Sequence, residues 1–127
     1  MARLLLDTHA WVWSLRGDPR LSKTALSTID DADSVAVSAV SIFEIAQKVR
    51  LGKWPEMAER VSKLAEAVGL QGGTVIPVDA EISLAAGLLI WDHRDPFDRM
   101  IAATALERNL TLVSADAAFD VVTKRVW

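Results

Sequence analysis

Three aspartates of this 127-residue chain stand where a carboxylate can reach a ligand. Asp7 follows the apolar run Leu4-Leu5-Leu6, Asp116 follows Leu112-Val113-Ser114-Ala115, and Asp98 lies in the first turn of a helix that Asp95-Pro96 opens. A fourth acid, Glu44, sits inside a helical pattern that follows the run at 34–37. Groups beyond strand ends or at helix starts project toward one edge of a parallel sheet, and ligands of open α/β sheets bind at that edge. Oxygen ligands without thiolates suit Mg2+ or Mn2+. Carboxylate-held magnesium is the apparatus of phosphodiester hydrolysis: it holds the phosphate, lowers the pKa of a water and stabilises the leaving oxygen.

Each acid also has an ordinary structural reading. Asp7 suits the N-cap of a helix starting Thr8-His9-Ala10-Trp11, and Asp116 suits the cap of a short turn toward Phe119. Asp98 is not needed as a cap, because Asp95 already precedes Pro96, and it continues the stripe of Ile101, Ala102 and Ala105. An ionised group on an apolar face is costly unless a cation, a dipole or water compensates it. The helix N-terminus supplies part of that compensation, and an N3 capping-box role is the alternative. Glu44 lies about 150° around its helix from the Ile42, Ile45, Ala46 and Val49 stripe. Local pattern gives it an i, i+4 pair with Lys48 or a capping box with Ser41. Local reading leaves Glu44 out of the site.

The elements that must hold these acids alternate. Short apolar runs at 4–6, 34–37, 74–76 and 110–113 read as buried strands, with helical patterns between them. Such alternation predicts a parallel sheet covered on both faces, and the tail from 121–122 to 126–127 offers a last strand. One helix is predicted near 21–29, opened by Ser22, and another runs from Ser38 or Ser41 to Gly52. A third is predicted from about 56 to 68, stopped by Gly69, and a fourth from Asp79 through Ile90. A fifth runs from Asp95-Pro96 to about 108, with proline in its favoured first turn. Gly72-Gly73 reads as a turn and no repeat is visible, so 1–127 is expected to form a single domain.

Composition excludes several classes. The absence of cysteine removes disulfides, thiolate zinc sites, iron–sulfur clusters and cysteine nucleophiles together. Two histidines, His9 and His93, argue against an all-protein zinc cage. The apolar stretch at 82–91 is interrupted by Ser83 and Gly87, so a soluble, cytoplasmic protein without membrane association is expected. A net charge of −3, from 14 basic and 17 acidic side chains, argues at first sight against a nucleic-acid partner.

Four blocks occur in order: Leu5-Leu6-Asp7-Thr8-His9-Ala10-Trp11, Ser38-Ala39-Val40-Ser41-Ile42-Phe43-Glu44-Ile45, His93-Arg94-Asp95-Pro96-Phe97-Asp98-Arg99 with Ile101-Ala102-Ala103-Thr104-Ala105, and Leu112-Val113-Ser114-Ala115-Asp116. Together they resemble PIN-domain ribonucleases, specifically the VapC-type toxins of type II toxin–antitoxin pairs. The resemblance implies a three-layer α/β/α sandwich with a central, mainly parallel sheet. It also implies an endoribonuclease site dependent on one or two Mg2+ or Mn2+ ions. The family's acidic quartet falls on Asp7, Glu44, Asp98 and Asp116, which overturns the local reading of Glu44. Asp7, Asp98 and Asp116 would hold the metal, and Glu44 would help position the water that attacks an RNA phosphodiester in line. Cleavage would leave a 3′ hydroxyl and a 5′ phosphate. Thr8 and Ser114 match positions that orient acids or water, while Asp95 is retained mainly as a helix cap. Ser114-Ala115-Asp116 departs slightly from the commoner Thr-Asn-Asp or Thr-Ala-Asp form but keeps the hydroxyl. No histidine is required as a base, and His9 is expected to pack near the first helix.

The resemblance also implies partners: a cognate antitoxin, an RNA substrate and a second copy of the chain. The apolar residues Ile82, Leu84, Ala85, Leu88, Leu89, Ile90 and Trp91 exceed what one helix face needs, and suit either a homodimer interface or core burial. Lys48, Arg50 and Lys53, with Arg60 and Lys63 beyond them, form a candidate RNA track or a solvated helix face. Trp54 next to Lys53 suits either stacking on a base or packing. Setting aside the quartet leaves 13 of the 17 acids against 14 basic groups, so the acidic balance no longer opposes a nucleic-acid substrate. Two other readings remain open: a PIN-fold nuclease of RNA processing or structured DNA without an antitoxin, and a non-catalytic PIN-like binding domain. A haloacid-type phosphatase is excluded, since its second Asp would fall on His9.

Overall fold

The computed structural model describes residues 2–127. A strand with no polar face must be covered on both sides, and β1 (Arg3–Leu6) accordingly lies in the middle of a five-stranded sheet. β2 (Ser34–Ser38) and β3 (Thr74–Ile76) extend the sheet on one side of it, β4 (Thr111–Val113) and β5 (Arg125–Val126) on the other. Every pairing is parallel, and Leu5 stands between Ala36 and Leu112. The expected sandwich is therefore present, with a wholly parallel sheet. The last strand falls within the expected tail but later than 121–122. Val121 instead closes a 3-10 turn, Ala117–Val121.

Six α-helices cover the sheet: α1 (Thr8–Arg16), α2 (Lys23–Asp31), α3 (Ala39–Arg50), α4 (Leu64–Leu70), α5 (Ala80–Leu88) and α6 (Pro96–Arg108). Side chains alternate across a strand, and the two layers of core follow from that. Leu4, Leu6, Val37 and Val113 pack with Trp11 of α1, Ala25 of α2, and Leu64 and Val68 of α4. Leu5, Ala36 and Leu112 face the other way, onto Ile101, Ala102 and Ala105 of α6 and onto Phe119. α5 docks on the outside of α6 through Ile82, Ala86 and Ala103. This uses only part of its apolar surface, because Leu84 and Leu88 remain exposed, as does Ile90 just beyond its end.

Helix starts follow the expected caps. Asp7, Ser22, Ser38, Asp79 and Asp95 each accept a hydrogen bond from a backbone N–H of the helix they open. Between the two serines before α3, Ser38 is the cap. α5 ends at Leu88, two residues before the expected Ile90.

The helix expected from 56 to 68 is not continuous. Two 3-10 turns, Pro55–Met57 and Val61–Lys63, precede α4, which begins only at Leu64. No side chain caps any of these three starts, so nothing offsets the cost of nucleating a helix at Glu56. Met57, Leu64 and Val68 are nonetheless buried, and they produced the helical pattern. Gly69 does not stop α4. The reversal comes at Gly72, in the left-handed region with φ +76°, and at Gly73, where a Cβ would lie 3.1 Å from the Val35 carbonyl.

The strand order places the chain reversal between β1 and β4. In open parallel sheets the crevice beyond the strand ends at such a reversal is where ligands bind. Asp7 leaves one side of that crevice, and Ser114 and Asp116 leave the other.

Candidate active site

Asp7 is the first residue beyond β1. Its N–H donates to the Val113 carbonyl across the reversal (3.1 Å), and its Oδ1 caps α1 by accepting from Ala10 N–H (2.8 Å). The predicted cap is real and does not exhaust the group. Burial pushes the Asp7 carboxyl above its usual range, and the charge of Glu44 pushes the same way. Hydrogen bonding from Ser114 and from the Ala10 amide opposes the shift, as does the charge of His9.

Glu44 comes to the same place from α3. The most buried positions of that helix are Val40, Ser41, Glu44 and Ile45, a face rotated from the Ile42, Ile45, Ala46 and Val49 stripe. Thr8 Oγ1 donates to Glu44 Oε1 at 2.7 Å. With its single proton so used, Thr8 accepts from Ser41 Oγ at 2.8 Å. Lys48 Nζ lies 2.9 Å from Glu44 Oε2, which is the predicted i, i+4 pair. The capping box does not form, since Ser41 lies inside the helix and turns to Thr8.

Asp98 occupies the first turn of α6 while Asp95 does the capping, accepting from Phe97 N–H (2.9 Å) and Asp98 N–H (3.3 Å). Asp98 Oδ2 lies 2.7 Å from His93 Nε2. Burial, aided by the charges of Asp95 and Glu44, raises the Asp98 carboxyl to about 6 against the opposing hydrogen bond of His93. His93 belongs to the same block as Asp98, where the sequence assigns it no role of its own; the structure makes it the partner of the Asp98 carboxyl. Its ring stacks on Trp91 with centroids 4.6 Å apart, and Arg99 anchors the loop by donating to the carbonyls of Ala86, Leu89, Trp91 and His93. His93, Asp95 and Asp98 each offer a ligand atom within 4.8 Å of the others.

Asp116 lies just past β4, exposed, and caps the turn after it by accepting from Ala118 N–H (2.9 Å). Its own N–H donates to the buried Ser114 Oγ (3.0 Å). The charge that Asp116 faces is Arg125, whose guanidinium is raised first by Asp120 and further by Asp116. Glu44 thus acts on both Asp7 and Asp98, and Asp116 is tied to the site through Ser114. The basic segment divides. Lys48 enters the acid group, Arg50 is exposed at the end of α3, and Arg60 and Lys63 line a separate cavity with Leu15, Glu59 and Glu66.

Like-charged carboxylates drawn from water and toward one another are a standing electrostatic cost that a bound cation removes. Carboxylate and hydroxyl oxygens of this kind suit a hard divalent ion; among the described residues, the ligand atoms that lie within 4.8 Å of one another are those of His93, Asp95 and Asp98.

Comparison with known proteins adds the family context. The PIN domain family pattern matches residues 4–125. Over 119 residues the chain is 34% identical to Ribonuclease VapC22 of Mycobacterium tuberculosis, a match covering 91% of this chain and 88% of that protein. Among solved structures, FitAcB from Neisseria gonorrhoeae superposes with a TM-score of 0.71 at 22% identity, covering 98% of this chain and 96% of that one. VapBC2 from Rickettsia felis, bound to a DNA fragment from its promoter, also gives 0.71, at 18% identity over 98% of both chains. The sarcin–ricin loop cleaving toxin VapC20 of Mycobacterium tuberculosis gives 0.65, at 20% identity over 93% of both.

Proposed function

The chain belongs to the PIN-domain family, and from that premise we propose that it is a Mg2+- or Mn2+-dependent endoribonuclease, the toxin of a toxin–antitoxin pair. The observation that carries the reading is that Asp7, joined to the β4 end through the Val113 carbonyl, and Glu44, held by Thr8, meet beyond the sheet reversal, with burial raising the carboxyls of Asp7 and Asp98.

Asp7, Asp98 and Asp116 are the residues that would hold one or two ions, with Glu44 contributing. A bound ion supplies the positive charge that neutralises the phosphate and makes a water more acidic. The residues of the chain do the rest. Thr8 Oγ1 fixes Glu44 Oε1, so the carboxylate keeps one orientation from which to align the attacking water. Lys48 neutralises Glu44 Oε2 and brings a cation to the edge of the site where RNA phosphates pass. His93 holds Asp98 Oδ2, and Ser114 supports both the Asp7 carboxyl and the turn that carries Asp116. Arg50 and Lys53 extend the positive surface along the RNA strand.

Two partners complete the proposal. The antitoxin is expected from the family and from the relatives crystallised as VapBC complexes. A second copy of the chain is supported by the exposed Leu84, Leu88 and Ile90 beside α5, with Ile90 95% exposed. Among the described residues no helix is long and apolar enough to cross a membrane.

The deciding experiment compares the native chain with Asp7→Asn and Asp98→Asn by Mn2+ titration and by mapping of RNA ends. Native chain that binds Mn2+ and produces new 5′-phosphate ends, with both properties lost in the variants, supports the reading. Cleavage that persists in both variants, or that needs no divalent ion, removes it.

A further inference from the structure

Next to the acid group lies a cavity of about 210 Å3 whose aromatic walls the proposed chemistry leaves unused. Its walls are His9, Trp13 and Trp54 with Arg20, Lys48 and Lys53, and one acid, Glu56. His9 and Trp13 stand one turn apart on α1, and Trp54 follows α3 in the turn that begins the irregular segment. The His9 ring lies 5.2 Å from Trp54 and 5.6 Å from Trp13. Trp54 is buried and forms the floor, while His9 is exposed at the mouth. Lys48 Nζ sits over the Trp54 ring at 5.3 Å, and the Arg20 guanidinium over Trp13 at 5.2 Å. Lys53 pairs with no carboxylate among the described residues.

Two links join this cavity to the acids. Lys48 Nζ lies over Trp54 and 2.9 Å from Glu44 Oε2 at once. His9 is two residues after Asp7, and its charge acts on the Asp7 carboxyl. Aromatic walls bordered by cations recognise a flat π-ring carried on an anionic chain, and stacking of that kind accepts any base that is free to leave its neighbours. A base paired within an A-form duplex keeps its faces covered. The cavity has room for one base.

We propose that this cavity receives one unpaired base of single-stranded RNA, stacked on the exposed His9 ring that Trp13 and Trp54 back, with its phosphate on Lys53 and the adjoining phosphate led by Lys48 to the acids. The identity of the polymer rests on the endoribonuclease reading; the ring-binding chemistry rests on the cavity itself. The pocket would make the chain a reader of unpaired segments and would leave base identity largely unread, because stacking does not depend on hydrogen-bonding edges.

The test is a double-mutant cycle between protein and RNA. A labelled single-stranded 12-mer, with each nucleotide in turn made abasic, is titrated by anisotropy in Ca2+ against native chain, His9→Ala and Lys53→Ala. Both side chains are exposed; Lys53→Ala leaves the core untouched, and a thermal melt of His9→Ala checks that loss of the ring contact to Trp54 leaves the chain folded. One abasic position is expected to weaken native binding roughly 5- to 100-fold, and the same position should cost His9→Ala less than about twofold. Lys53→Ala should weaken all oligomers uniformly and flatten the salt dependence. Absence of RNA binding, an equal penalty at every abasic position, an unchanged penalty in His9→Ala, or a blunt duplex that binds as tightly as the single strand each overturns the proposal. Intact coupling without RNA cleavage in Mg2+ would keep the pocket and remove the nuclease reading.

Discussion

Thr8 and Glu44, 36 residues apart, are joined by a 2.7 Å hydrogen bond between buried side chains. One comes from the first turn of α1 and the other from the second turn of α3. The bond holds a carboxylate in place at the point where the two helices leave the sheet. Thr8→Val keeps the shape and removes the donor, leaving Ser41 Oγ and Glu44 Oε1 each short of a partner. A loss of about 1–3 kcal/mol in stability is expected, with RNA cleavage reduced on the order of 10- to 100-fold. Thr8→Ser should recover most of the activity. Thermal melts and single-turnover cleavage check both, and a fully active Thr8→Val removes Thr8 from the orienting role.

The metal-free protein should become less stable as pH rises. The Asp98 carboxyl titrates at about 6 in the folded chain against an ordinary 3.8, so the folded state binds more protons than the unfolded one between those values. By linkage, stability falls across that window as pH increases and stays lower above it. Asp7 acts in the same direction. Asp98→Asn removes the Asp98 contribution, so its melting midpoint in EDTA should exceed that of the native chain above pH 6 and match it near pH 4. A native melt that rises steadily from pH 4 to 7 in EDTA contradicts the raised Asp98.

Arg99 holds the loop that carries His93. Its guanidinium donates to four carbonyls, those of Ala86, Leu89, Trp91 and His93, and so closes the end of α5 onto the start of α6. Arg99→Met leaves those carbonyls unpaired and should cost roughly 2–4 kcal/mol. Arg99→Lys should recover only part, because an ammonium lacks the planar fork that reaches several carbonyls. Denaturant melts give the cost, and hydrogen exchange should show the loosening concentrated at 88–95. A neutral Arg99→Met would mean that the loop is held by the Trp91, His93 and Phe119 rings alone.

The exposed apolar residues beside α5 give the dimer proposal a direct check. Leu84→Glu with Leu88→Glu places two charges on a surface that is mostly exposed in the protomer. Sedimentation is expected to find the native chain as a dimer and the double variant as a monomer with an unchanged circular dichroism spectrum. A native monomer at micromolar concentration contradicts the dimer.

Much of the architecture is written in contiguous residues. The apolar runs at 4–6, 34–37, 74–76 and 110–113 became strands because a short stretch without a polar face has to be buried on both sides, and parallel pairing between helices does this. The caps at Asp7, Ser22, Ser38, Asp79 and Asp95 were legible for the same local reason: each binds N–H groups two or three residues away. Failure at 56–68 shows the limit of such patterns. Met57, Leu64 and Val68 have helical spacing and are buried, yet without a cap the segment reaches them through two 3-10 turns.

Neighbours distant along the chain settled the rest. Glu44 looked like a surface acid because helical periodicity reports one face of one helix, and its burial depends on where α1 lies against α3. His93 gained a role from a loop that Arg99 folds back onto Asp98. His9, Trp13 and Trp54 form one wall only after α1 and the turn past α3 come together. Periodicity and capping are contests among residues a few positions apart, so they survive in sequence. The action of Glu44 on both Asp7 and Asp98 depends on how α3 is placed beside α1 and α6, which no local pattern encodes.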